Sequence, residues 1–144
     1  MANPGPAVTT SIHPQVLGTN QALRLIATAQ AVPLSVLGDT AVNVIDVTNY
    51  VPVSVITANA NNAGAAVATG STYLGVYTGL SGTGTAIYTK AALATNTTTA
   101  NASVVAASLT TSATSAQTLY VNVSSAAVTG TIDVYVYGYD LSAQ

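Results

Sequence analysis

The fold class of this 144-residue chain is decided by the stretch Ile132-Asp133-Val134-Tyr135-Val136-Tyr137-Gly138-Tyr139. Successive side chains of a β-strand point to opposite faces of its sheet. Alternation therefore separates an aliphatic set from a polar and aromatic set: Ile132, Val134 and Val136 on one face, and Asp133, Tyr135, Tyr137 and Tyr139 on the other. Because the aliphatic face belongs in a hydrophobic core, the stretch predicts a half-buried strand.

The tyrosine row of this strand is the first candidate for a functional surface. Tyrosine offers a large, rigid contact area with a hydroxyl at its rim, and subunit interfaces are enriched in it. Three interpretations stay open: burial at an interface between subunits, cover by the protein's own loops, or a platform for a ligand. The same alternation gives Tyr73 and Tyr77 a shared face on their own strand.

The period-two pattern recurs from residue 21 onward, and residues 42–47 are a further candidate strand. Between Val51 and Val55, for example, valines alternate with Pro52 and Ser54. Small and β-branched side chains favour pleated sheet. About eight or nine strands are predicted, which indicates an all-β protein with a single antiparallel β-sandwich or jelly-roll-like domain over residues 21–144.

Two hairpins are predicted from neighbouring strand patterns. The first joins residues 73–78 to 86–89 through a glycine-rich turn, and the second joins residues 119–124 to 131–141. The stretch 91–102 is open between a loop and one short helix. Pro33 and Pro52 are expected at sheet edges or bulges, because proline cannot donate to a sheet ladder.

Residues 1–20 form a separate segment, predicted as an extended N-terminal arm. It holds Pro4, Pro6 and Pro14 together with His13, the single histidine of the chain. Proline fixes φ and removes a backbone donor, so a sheet position is not expected here. Two interpretations stay open: an arm that lies across a neighbouring subunit, with His13 at the contact, or a frayed terminus.

Charged residues are scarce, with two basic and four acidic side chains in 144 residues. An ordinary soluble domain is about one-quarter charged. Since charges keep proteins soluble and apart, this deficit indicates a building block that packs against other subunits. Two cations and a net charge of −2 cannot neutralise a run of phosphates, so no nucleic-acid partner is expected.

Other features of the composition narrow the class further. No apolar stretch reaches the roughly 18 residues that a spanning helix needs, so no membrane partner is expected. Cysteine is absent, which excludes disulfides and thiolate metal sites. The first residues show neither the basic nor the apolar region of a secretory signal, so synthesis and assembly in the cytoplasm are expected.

The titratable residues give no catalytic or metal site, so neither an enzyme nor a cofactor is predicted. His13 has no second histidine or cysteine near it in sequence. The glycines after residue 78 form a plain turn, because the lysine of a phosphate loop is missing. Asp39 is expected to cap a turn and Asp46 to face outward, and the spacing of Asp133 and Asp140 predicts surface or rim charges. No glycan is expected at the sequon of Asn122 or at the other two sequons.

Several strand-and-turn patterns resemble the small β-sandwich proteins of tailed-bacteriophage structural gene sets. They are the run Tyr50 to Ala60, the segment Leu74-Gly75-Val76-Tyr77-Thr78-Gly79 with its glycine-rich turn, and the run Leu119 to Val123 together with Ile132 to Leu141. The resemblance covers residues 50–141 and carries no catalytic residues.

The resemblance implies a head-decoration (cement) protein of the virion. Copies of the chain, often as trimers, would bind major capsid proteins on the outside of the capsid and seal the joints between them. Arg24 and Lys90, the two cations, are candidates for docking on an acidic shell, or else ordinary surface charges. A carbohydrate-binding or adhesive β-sandwich, and a fibre or tail component, stay open as alternatives.

Overall fold

The protein is a two-layer arrangement of eight β-strands in a computed structural model that describes residues 23–59, 72–93, 112–125 and 129–142 in full and residues 103–108 as backbone. The strands are β1 (Arg24–Pro33), β2 (Gly38–Asn43), β3 (Tyr50–Ala58), β4 (Tyr73–Tyr77), β5 (Ala86–Ala92), β6 (Ser103–Ser108), β7 (Thr118–Ser125) and β8 (Thr131–Asp140). The predicted all-β class is confirmed. The segment 1–20 lies outside the described residues, so the arm stays a prediction.

The strands form two antiparallel sheets of four strands each. Sheet A has the order β1-β8-β3-β6 and sheet B has the order β2-β7-β4-β5. Only β4 and β5 are both consecutive in the chain and paired, which confirms the first predicted hairpin. The second predicted hairpin is wrong: β7 and β8 follow each other in the chain but lie in different sheets.

The two strand prolines occupy the positions that their chemistry allows. Pro33 ends β1, which is an edge strand of sheet A. Pro52 lies in β3, a central strand, at a point where the register with β8 shifts between Pro52 and Ser54. A bulge at Pro52 removes the demand for a ladder hydrogen bond from a residue without an N–H. Both prolines therefore follow the edge-or-bulge prediction.

The core lies between the sheets and is built from small aliphatic side chains. The predicted core face of β8, with Ile132, Val134 and Val136, is buried. The space between the two sheets is too small for a water molecule where described residues line it. These residues are Ala27, Ala29, Val42, Val76, Leu119, Val121, Val134 and Val136. The largest fully buried side chain is Tyr50. Dense packing of this kind makes the sandwich sensitive to changes of volume.

Strand boundaries differ from the prediction in two places. The strand expected over 42–47 is β2, which begins at Gly38 and ends at Asn43. The stretch expected to begin at residue 91 as a loop or a short helix starts inside β5, which ends at Ala92, and residues 94–102 lie outside the described part. Among the described residues no helix is long and apolar enough to cross a membrane.

Candidate interaction surface

The tyrosine row of β8 lies on the outer face of sheet A. Tyr135 and Tyr137 are half-buried, and Tyr139 is 36% exposed. The opposite side chains of the strand fill the core, so the alternation that the sequence predicts is present. The row is therefore available at the surface, with its aromatic area only partly covered.

Aliphatic side chains from two neighbouring strands extend the tyrosine row into a surface. Residues directly opposite each other in antiparallel strands share a face. Tyr137 is paired with Leu25, Tyr135 with Ile56, and Tyr139 with Val51, and all three partners are half-buried. We call these six residues the tyrosine surface: Leu25, Val51, Ile56, Tyr135, Tyr137 and Tyr139. The sequence did not reveal the aliphatic members, because pairing register depends on strands far apart in the chain.

Asp133 shares this face of β8 but is fully buried, which corrects its prediction as a surface or rim charge. Its Oδ1 accepts a hydrogen bond of 2.8 Å from the backbone N–H of Ala31. Ala31 has a φ of 54° and lies where the register of β1 shifts against β8. A bulge leaves a backbone donor without a ladder partner. The Asp133 carboxylate supplies that partner, so its role here is to hold the edge of sheet A.

Arg24 and Asp140 form an ion pair between β1 and β8, with 2.8 Å between Nη1 of Arg24 and Oδ2 of Asp140. The exposed fractions of the two side chains are 37% and 12%, so Asp140 is largely buried, whereas a surface or rim charge was predicted. The pKa of the Asp140 carboxyl is lowered, chiefly by the hydrogen bond from the backbone N–H of Ser142 and further by Arg24. An Arg24 that docks on a partner would have to share its guanidinium with Asp140.

Substitution Asp140→Asn is expected to lower the free energy of unfolding at neutral pH by about 0.5 to 1 kcal/mol, the range for a partly exposed ion pair. A carboxyl with a lowered pKa stabilises the fold above its ordinary pKa and loses that contribution as the pH falls through the lowered value. The difference between wild type and variant should therefore be full at pH 7, begin to shrink near the ordinary pKa of 3.8 and disappear only below the lowered value. Urea denaturation across this pH range measures it.

The matched control is Asp46→Asn, which removes one carboxylate from an exposed position. Asp46 has a φ of 49°, and asparagine tolerates this left-handed region as well as aspartate does. The control should leave stability at pH 7 within about 0.5 kcal/mol of wild type. A difference for Asp140→Asn that persists unchanged to low pH would contradict the assigned role of the pair.

Tyr77 lies against the outer side of sheet B and is buried, unlike its predicted companion Tyr73. Its ring crosses Gly75: a Cβ added there would lie 2.6 Å from Cε2 of Tyr77. The Tyr77 hydroxyl accepts a hydrogen bond of 3.1 Å from the backbone N–H of Lys90. The missing side chain at residue 75 is thus what lets the ring lie flat on the sheet, and Tyr77 has no free surface for a partner.

The Asp39 carboxylate holds the β4–β5 connection against sheet B through hydrogen bonds. Its Oδ2 accepts a hydrogen bond of 2.7 Å from the backbone N–H of Ser81, and its Oδ1 accepts one of 2.6 Å from Nδ2 of Asn122. Ser81 has a φ of 56° in the short 3-10 turn Leu80–Gly82. The prediction that Asp39 caps a turn is therefore wrong: Asp39 lies within β2, and its carboxylate holds a loop that is distant in sequence. The same contact engages the side-chain nitrogen of Asn122, the atom that a glycan would need.

The predicted interface residues do not come together on one surface. Tyr135, Tyr137 and Tyr139 lie outside sheet A, whereas Tyr73, which is 41% exposed, is on the outer face of sheet B. The side chain of Lys90 is exposed on edge strand β5 of sheet B. His13 is outside the described residues. The larger continuous candidate is therefore the tyrosine surface.

A group of side chains that could hold a metal ion is not found among the described residues. No three histidine, cysteine or acidic side chains of that part of the chain are close enough to hold a metal ion. Comparison with family models, with curated proteins and with solved structures gave no match to this chain. Its function has to be argued from its own surfaces.

Proposed function

We propose that this chain is a non-enzymatic structural protein of a bacteriophage virion, which binds the outside of the capsid and stabilises it. Its partners are the major capsid protein and further copies of itself, in the trimeric form that the family resemblance implies. The observation that carries the proposal is the tyrosine surface, a half-exposed aromatic and aliphatic face whose six members carry no charge.

The tyrosine surface has the composition of the centre of a protein interface. Such centres are rich in tyrosine and poor in charge, and their aromatic anchors contribute most of the binding energy. The acidic group on this face of β8, Asp133, is buried and hydrogen-bonded to Ala31. Binding through this face would remove apolar area from water and would not bury an unpaired charge. We therefore expect attachment to tolerate high salt, because few of its contacts are ionic.

The arrangement of strands is compatible with this role. Two four-stranded sheets with crossing connections, in the order β1-β8-β3-β6 over β2-β7-β4-β5, fit a jelly roll, an architecture that viral capsid domains use among others. A capsid presents many equivalent sites, so a modest interface per copy becomes strong when copies also bind each other. Because charges keep proteins soluble and monomeric, a chain with so few of them is suited to close packing against other subunits.

The test uses particles stripped of this protein and then heated, or shocked osmotically, with and without the protein added back. Addition of the wild-type chain should raise the temperature at which the particles rupture. Tyr139→Lys should lose this protection, because it places a charge in the tyrosine surface. The matched control is Tyr73→Lys, an equally exposed tyrosine on the opposite sheet, which should protect as the wild type does.

The outcomes separate the function from the surface assigned to it. Protection that Tyr73→Lys abolishes and Tyr139→Lys leaves intact would keep the capsid role but move the contact to sheet B. A wild-type chain that binds particles without raising the rupture temperature would contradict the stabilising role. Binding to glycans, with no binding to particles, would favour the carbohydrate-binding alternative.

A further inference from the structure

Among the described residues, strand β2 is an edge strand of sheet B, with a partner on one side only. It pairs with β7 on one side over six residues, from Gly38 with Val123 to Asn43 with Thr118, and the register has no shift. Along its other side, β2 makes no backbone hydrogen bond to any described residue. Gly38, Ala41 and Asn43 are exposed. The outward N–H and C=O groups of every second residue are thus ready to pair with another strand.

The other edges with described side chains carry features that discourage pairing. Strand β1 has two register shifts and ends at Pro33. Strand β5 has two register shifts against β4 and carries the exposed Lys90. Bulges, proline and lysine are the means by which natural sheets protect their edges. β2 has none of them, and its one charge, Asp39, is tied to Asn122 and Ser81 on the face of the sheet.

We propose that β2 pairs antiparallel with β2 of a second copy of this chain around a two-fold axis. The two sheets B would then join into one sheet of eight strands. A two-fold axis perpendicular to the sheet keeps the outer faces of both copies on the same side. Because directly opposite residues point to the same face, an odd-numbered residue must then pair with an odd-numbered residue of the second copy, and an even-numbered residue with an even-numbered one. The choice of register then lies between a centre at Thr40 and a centre at Ala41.

The side chains of β2 favour the register centred on Ala41. In that register Asp39 faces Asn43 of the second copy, which pairs a carboxylate with an exposed amide donor. A centre at Thr40 would set Asp39 against Ala41, which offers no side-chain donor. Beyond Asn43 the N–H of Ile45 is bonded to the carbonyl oxygen of Ile26, so the pairing ends at Asn43. The contact of Asp39 with Asn43 occurs twice around the axis, and it points to a second copy as the occupant.

This pairing goes beyond the proposed function, because it is a property of the free protein and needs no capsid. It is also distinct from a three-fold contact, since a strand that pairs with its own copy closes after two subunits. A contact of one strand per subunit buries little area, so a dissociation constant in the micromolar range or above is expected, on the order of 10 to 100 μM.

The experiment is sedimentation velocity on the full chain over a range of concentrations. The wild type should form a dimer, and Ala41→Lys should weaken it by about tenfold or more, because two lysines would face each other at the axis. Ala41→Glu should weaken it in the same way. An equimolar mixture of the two variants should dimerise again, because lysine then faces glutamate.

A matched control is Ala92→Lys, which adds the same charge to an exposed alanine on edge strand β5 and should leave the dimer intact. Circular dichroism confirms the fold of each variant. Independently of any variant, hydrogen exchange of the β2 amides in the wild type should slow as concentration rises. A wild-type monomer at about 100 μM would overturn the pairing. So would a dimer or trimer that Ala41→Lys leaves intact, or a charge-swapped mixture that stays monomeric.

Failure of this pairing and failure of the capsid role give different results. Ala41→Lys applied to stripped particles tests whether attachment needs the β2 contact. If it still raises the rupture temperature, the capsid role stands without the two-fold pair. If wild-type copies dimerise through β2 but never bind particles, the pairing stands and the capsid role fails.

Discussion

Gly138→Ala is expected to lower the free energy of unfolding by about 2 to 3 kcal/mol, at the upper end of the usual cost of forcing extra atoms into a packed site. A Cβ on residue 138 would overlap the carbonyl oxygen of Val51 and lie 3.0 Å from its carbonyl carbon and 3.1 Å from Cα of Pro52. All three atoms are backbone. They belong to the part of β3 that pairs with β8, so neither strand can move aside without loss of ladder hydrogen bonds between the two.

The comparison variant is Gly75→Ala, which also adds one methyl group to a buried strand glycine. Its Cβ meets ring atoms of Tyr77 at 2.6 to 3.0 Å instead of backbone. The far end of a side chain can shift where backbone cannot, so this substitution should cost about 1 kcal/mol, mostly through the lost hydrogen bond from the Lys90 N–H. Urea denaturation measures both. Equal costs for the two variants would contradict the distinction between a backbone and a side-chain neighbour.

The close approach at Gly138 also shows what the sequence left open. The alternation of β8 identified its core face, because period two is a property of one strand alone. The glycine within it looked like one more member of the strand. Glycine is needed at this position because of the bulge at Pro52, 86 positions earlier in the chain, where β3 and β8 shift register. Pairing over such a distance is not encoded in any local pattern.

The error over the second hairpin has a related cause. β7 and β8 are both half-buried strands with a short connection, and such a pattern is shared by strands that pair and by strands that face each other across a core. Asp133 and Asp140 were misplaced for the same reason. Their partners, Ala31 and Arg24, lie 102 and 116 positions away. The fold class was thus predictable from local periodicity, whereas the site depended on contacts that only the assembled sheets provide.

Tyr50→Ala is expected to have the largest effect on stability, about 3 to 5 kcal/mol, the usual cost of removing a buried aromatic ring. Tyr50 is fully buried, and its hydroxyl donates a hydrogen bond of 2.8 Å to the carbonyl oxygen of Ala116. Its backbone exchanges two further hydrogen bonds with Thr114. The Tyr50 side chain therefore joins the start of β3 to the segment that leads into β7.

Comparison of Tyr50→Phe with Tyr50→Ala separates the contribution of the buried ring from that of the hydroxyl. It keeps the ring and loses the hydrogen bond to Ala116, for which about 1 kcal/mol is expected. Burial raises the pKa of the Tyr50 hydroxyl from 10.0 to about 12. Since the unfolded chain releases this proton first, wild-type stability should fall as the pH rises from 10 towards 12. Burial also raises the pKa of Tyr88, so part of this fall belongs to that residue.

Measurements at alkaline pH therefore test whether the Tyr50 hydroxyl is the group that couples folding to pH. Urea denaturation at pH 8 and pH 11 should show a smaller loss of stability for Tyr50→Phe than for the wild type, because phenylalanine has no proton to release. The advantage of the wild type at pH 8 should accordingly shrink at pH 11. Tyr73→Phe is the matched control, since it removes the hydroxyl of an exposed tyrosine. If Tyr50→Phe lost as much stability as the wild type, the buried hydroxyl would not be the group that couples folding to alkaline pH.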